Sequence, residues 1–90
     1  MTARYIGDLD TPVALVDTAR LESNLAAMAA VARDAGVAHR PHAKTHKTRQ
    51  IAERQLAHVA IGLTVAKLGE AEVMVDAGFL DLFVAYPLVK

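Results

Sequence analysis

All four histidines, His39, His42, His46 and His58, fall in one stretch that also carries Arg40, Lys44, Lys47, Arg49 and Arg54, with Glu53 as its one acid. The centre of that stretch is Arg40-Pro41-His42-Ala43-Lys44-Thr45-His46-Lys47-Thr48. If the backbone stays extended there, residues 40, 42, 44 and 46 point to one side. An arginine, a lysine and two histidines would then converge. Such a cluster repels itself unless an anion joins it, and neighbouring cations disfavour the ammonium form of a lysine. A lysine in those surroundings can form a Schiff base with an aldehyde. Lys44 stands at the middle and is the candidate nucleophile. Arg40 could serve as an anion partner or keep the amine unprotonated, and His42 could orient a bound ring. Lys67, just before Gly69, is the rival lysine and reads more simply as an exposed residue ahead of a helix.

Other chemistries fit less well. His42 and His46 would share a helix face as a metal pair, but they precede the expected helix and no carboxylate is near. A nucleic-acid patch would need interleaved aromatics, and Tyr5, Phe79, Phe83 and Tyr86 are all distant. Ordinary polar packing or a solvated basic loop remains the plain alternative for the whole cluster.

Composition narrows the field. Ten Lys and Arg balance ten Asp and Glu, which argues against a bulk nucleic-acid binder. There is no cysteine, so disulfides, thiolate metal sites and thiol nucleophiles are excluded. No apolar run approaches the roughly 20 residues of a membrane span, and Asp8 and Asp10 interrupt any signal-peptide block after Met1. A soluble cytoplasmic protein is expected. The 53% hydrophobic content is enough for a core.

Four apolar runs must position the cluster, starting near residues 13, 37, 59 and 80. Between them lie three helical patterns. Asp17 or Thr18 can cap the first, in which Leu21, Leu25, Met28 and Ala32 share one face and Gly36 ends it. Thr48 can cap a second over about 49–57. Gly69 to Ala77 forms a third, with acids in its first turn, closed by Gly78. Met28 and Met74 read as core, Thr64 as a strand residue, and Tyr86 as a packing or pocket residue. The order is βαβαβαβ, an α/β chain with a parallel sheet. It matches the first part of a (β/α)₈ TIM-type barrel, incomplete, or a small doubly wound sheet. No helix follows the fourth run at Tyr86-Pro87-Leu88-Val89-Lys90, which favours the barrel and a chain with a native start and an artificial end. In either fold, ligands sit at the C-terminal ends of the strands, where the Lys44 segment falls.

At this point the sequence resembles a known group. Asp10-Thr11-Pro12 with its following apolar run and Asp17 is similar to the start of fold-type III pyridoxal-phosphate enzymes. Arg40-Pro41-His42-Ala43-Lys44-Thr45-His46-Lys47 resembles the signature of the branch of D-threonine aldolases and eukaryotic-type D-serine dehydratases. Leu68-Gly69-Glu70-Ala71-Glu72 and Ala85-Tyr86-Pro87 support the likeness. Two positions depart from it: Val59, where a glycine is frequent, and Leu80, where an acidic or polar residue is frequent.

The resemblance implies that residues 1–90 are the N-terminal portion of an alanine racemase-like pyridoxal 5'-phosphate-binding barrel domain. It makes Lys44 the Schiff-base lysine, with His42 and Arg40 beside the cofactor. The parent would be a lyase acting on a D-3-hydroxy amino acid by retro-aldol cleavage or loss of water. A divalent metal held by a missing C-terminal part would polarise the 3-hydroxyl. The same resemblance implies a homodimeric parent with a small-molecule D-amino acid as its partner, and neither nucleic acid nor membrane. A non-catalytic pyridoxal-phosphate carrier on the same barrel, or a piece with no activity of its own, are the alternatives.

Overall fold

Residues 5–87 are described by the computed structural model; the first four residues and Leu88, Val89 and Lys90 lie outside the described residues. After a 3₁₀ turn at Ile6–Asp8 come helix α1 (Thr18–Ala35), helix α2 (Arg49–Ala57), strand β1 (Leu63–Val65), helix α3 (Leu68–Asp76) and strand β2 (Leu82–Val84). The caps fall where the sequence predicts them. The Asp17 carboxylate accepts from the Arg20 N–H at 3.1 Å, and the Thr48 hydroxyl accepts from the Ile51 N–H at 3.3 Å.

All three helices end in the same motif. The residue in the left-handed region donates its N–H three residues back, and the next residue donates five residues back. In α1 these bonds are Gly36 to Arg33 and Val37 to Ala32, at 3.1 and 3.0 Å. In α3 they are Gly78 to Val75 and Phe79 to Met74, both 2.9 Å. In α2 they are Val59 to Leu56 and Ala60 to Gln55, at 3.1 and 3.4 Å. The left-handed φ values are 69° and 100° at the two glycines, and 62° at Val59.

β1 and β2 run parallel, with Leu63, Thr64 and Val65 opposite Leu82, Phe83 and Val84. On the other edge of β1, Thr64 forms a parallel bridge with His42. Its N–H donates to the Pro41 carbonyl and its carbonyl accepts from the Ala43 N–H, both at 2.8 Å. The second expected strand is therefore reduced to this bridge. Proline has no N–H to contribute to a ladder, which suits an edge position. The first expected strand does not form: Val13–Val16 carries no ladder bond among the described residues and stays exposed. A short apolar run becomes a strand only when a neighbour pairs with it.

One sheet face is covered by helices. Ala43, Leu63 and Val65 pack with Ala52 of α2, Met74 of α3 and Phe79, and Leu82 and Val84 lie against the cluster. Leu63 and Val65 are fully buried, worth roughly 1.5–3 kcal/mol each. The opposite face is open, with Phe83 57% exposed. Met28 corrects the sequence expectation: it is 49% exposed, while Met74 is core. α1 packs against α2, and among the described residues it has no buried residue. The architecture is thus mixed α/β with a parallel sheet, and no described helix is long and apolar enough to cross a membrane.

Candidate active site

Side chains alternate across the sheet, so the register sorts the open face into layers. Extending the observed pairing by one step towards the strand starts aligns Arg40, Gly62 and Asp81. His42, Thr64 and Phe83 form the next layer. Beyond it the pairing with the 41–43 segment stops, because the Ala43 carbonyl accepts the Lys47 N–H and the Ala66 N–H donates to Glu70, so Lys44 stands in the turn that follows. Lys44 is exposed, and its amine forms neither ion pair nor hydrogen bond among the described residues.

The cationic cluster expected from the sequence is only partly assembled. Arg40 is committed to the opposite end of the sheet: its Nη1 donates to the Asp81 carboxylate at 2.7 Å and to the Asp81 carbonyl at 3.2 Å. The guanidinium reaches Asp81 across Gly62, where a Cβ would lie 2.5 Å from the Asp81 carbonyl oxygen. His42 is half-buried, and its Nδ1 accepts the Lys44 N–H at 3.2 Å.

His46 does not join the open face, because the backbone turns at Lys44. The Lys47 N–H closes that turn onto the Ala43 carbonyl at 2.8 Å, with Lys47 at φ 51°. His46 instead accepts the Thr48 N–H on Nδ1 at 3.0 Å and places Nε2 3.1 Å from Gln55 Oε1 of α2. His58 is drawn away to α1. Its Nε2 lies 2.7 Å from Glu22 Oε2, and Arg54 donates to both Glu22 oxygens at 2.5 and 2.9 Å. The hydrogen bonds from Arg54 and then His58 hold the Glu22 carboxyl down at about 2.

Lys67 caps α3 with its backbone and is exposed, as the sequence predicts. It lines a cleft of about 280 Å³ with Ala43, Lys47, Glu70 and Met74. Glu70 is occupied there, accepting the Ala66 N–H at 3.0 Å and lying 3.8 Å from Lys47 Nζ. Thr64 donates its hydroxyl to the Arg40 carbonyl at 3.1 Å. Tyr86 is 66% exposed. Among the described residues no group of three or more metal-binding side chains gathers. Asp81, Gln55 and Glu22 are the partners that the sequence does not reveal. Their signal is a register, which exists only once strands and helices are placed.

An exposed lysine, unpaired among the described residues and in the turn after the bridge to β1, is found in a chain with close relatives. A D-threonine aldolase of Arthrobacter sp is 46% identical over 81 residues, covering 90% of this chain and 21% of that protein. The crystal structure of a D-threonine aldolase from Filomicrobium marinum superposes with a TM-score of 0.89 at 44% identity, covering 94% of this chain and 23% of that one. This chain is a homologue of those enzymes. It spans about a fifth of their length. The D-threo-3-hydroxyaspartate dehydratase from Delftia sp. HT23 superposes with a TM-score of 0.87 at 41% identity, over 90% of this chain and 21% of that one. One solved form of that dehydratase is described as metal-free. No protein-family profile matches the chain.

Proposed function

We propose that this chain is the lysine-bearing portion of a pyridoxal-phosphate-dependent lyase that acts on D-3-hydroxy amino acids. The observation that carries the reading is the position of Lys44: exposed, unpaired among the described residues, and in the turn just beyond the 41–43 segment that bridges to β1. In a (β/α)₈ barrel ligands sit at the C-terminal ends of the parallel segments, and this turn lies at such an end. The names of the relatives support the substrate class.

The residues present fit the cofactor. Lys44 offers an exposed primary amine, without a partner among the described residues, for covalent attachment. When bound, the cofactor supplies an electron sink for bond breaking at the Cα of an amino acid. The Lys44 amine would also be available to hold or move a proton near that carbon. His42 fixes the backbone that carries Lys44 by accepting its N–H. Arg40 braces the far end of the sheet through Asp81. A divalent cation would be held by residues outside those described, where it could polarise the 3-hydroxyl. The parent protein is proposed to be a cytoplasmic homodimer.

The test is reduction with borohydride in the presence of pyridoxal phosphate, followed by mass mapping of the labelled residue. Label on Lys44, absent in Lys44→Ala and retained in Lys67→Ala, is the expected result. A reducible adduct that persists in Lys44→Ala defeats the proposal.

A further inference from the structure

We propose that His46 is a positioning residue for Lys44, acting through its two ring nitrogens on the turn between the 41–43 segment and α2. The proposal rests on the reading of Lys44 as the cofactor-bearing lysine. The turn has one histidine at each end, and each uses Nδ1 to accept the backbone N–H two residues on. His42 accepts from Lys44 at 3.2 Å, and His46 accepts from Thr48 at 3.0 Å. A nitrogen that accepts carries no proton, so a neutral His46 has its proton on Nε2. Nε2 then donates to Gln55 Oε1 at 3.1 Å. The ring therefore ties the C-terminal end of the turn to the second turn of α2, while Ala43 at the start of the turn is buried in the core.

Lys44 lies between these two anchors. Its own side chain has no partner among the described residues, so its direction is set by its backbone alone. Lys47 holds a left-handed φ of 51°, a conformation that neighbouring bonds must maintain. Removing the His46 ring frees the Thr48 N–H and one end of the turn. The cost of ordering Lys44 is then borne when the cofactor binds, not when the protein folds.

The test compares His46→Leu, His46→Asn and Gln55→Leu in the intact protein. Asparagine can place Oδ1 near the Nδ1 position and accept the Thr48 N–H, whereas leucine cannot. Two quantities are read: pyridoxal phosphate at half-saturation, by visible absorbance, and amide hydrogen exchange at Thr48 without cofactor. His46→Leu should raise half-saturation about tenfold and speed Thr48 exchange. His46→Asn, which keeps the Thr48 acceptor but not the bond to Gln55, should lie between wild type and His46→Leu, within about threefold of wild type. Gln55→Leu should give a similar intermediate shift. If His46→Leu does not fold, His46→Asn and Gln55→Leu decide: each should shift both readouts by a few fold, and wild-type values in both overturn the proposal. Wild-type half-saturation in a folded His46→Leu, or a His46→Asn as weak as His46→Leu, overturns the proposal. Lys44→Ala separates the two ideas: if it still forms the reducible adduct, the Lys44 reading fails, while Thr48 exchange still reports on the His46 turn.

Discussion

Replacing Val59 with glycine should stabilise the protein. Val59 occupies the left-handed position at the end of α2, with φ 62°, where α1 and α3 have Gly36 and Gly78 in the same hydrogen-bonded motif. The left-handed conformation costs an L-residue roughly 1–2 kcal/mol through the clash of Cβ with the following carbonyl. A β-branched side chain belongs at the upper end of that range. Glycine removes the clash but gives back about 0.5–1 kcal/mol through the greater freedom of the unfolded chain. The side chain is 77% exposed, so little burial is lost. The net gain is about 0.5–1 kcal/mol. With a urea m-value of roughly 1–3 kcal/mol/M, the unfolding midpoint should rise by roughly 0.2–1 M. Val59→Ala keeps Cβ and should fall between wild type and Val59→Gly. A Val59→Gly protein no more stable than wild type would refute the strain argument. A Val59→Ala protein equal to Val59→Gly would move the gain from the backbone to the branched side chain.

Two further outcomes follow from contacts between distant segments. The Glu22 carboxyl is held at about 2, below its ordinary 4.5, by Arg54 and His58. Because the folded value is the lower one, this contribution is fully present above about 4.5 and is lost as pH falls towards about 2. Urea unfolding across that window should therefore show a steeper acid loss in wild type than in Glu22→Gln, and parallel curves would contradict the clamp between α1 and α2. Gly62→Ala should destabilise by about 1–3 kcal/mol, the usual cost of overpacking, because its Cβ would meet the Asp81 carbonyl and the Arg40 guanidinium. Asp81 carbonyl oxygen belongs to the backbone and cannot swing aside, so an unchanged urea midpoint would show that the β1–β2 spacing is looser than the structure indicates.

Local physics was largely legible in the sequence. Asp17 and Thr48 cap helices because short polar side chains meet free N–H groups next to them in the chain. Gly36 and Gly78 end helices because they tolerate a positive φ, and the departure at Val59 lands on the third copy of the same motif. The resemblance carried by residues 40–47 points to the homologous enzymes independently of the fold.

What depended on distant partners was not legible. Val13–Val16 carries a strand's composition but no neighbour pairs with it. Arg40, grouped with Lys44 by alternation, is drawn to Asp81 at the other end of the sheet, 41 positions along the chain. Alternation also placed His46 beside Lys44, until the turn at Lys44 sent its ring towards Gln55. The sequence by itself determined which residue types were available and how each short segment would start and stop. Tertiary structure decided which charges met and which stayed free, because an ion pair is set by distance through space, and only the strand register and helix packing fix that distance.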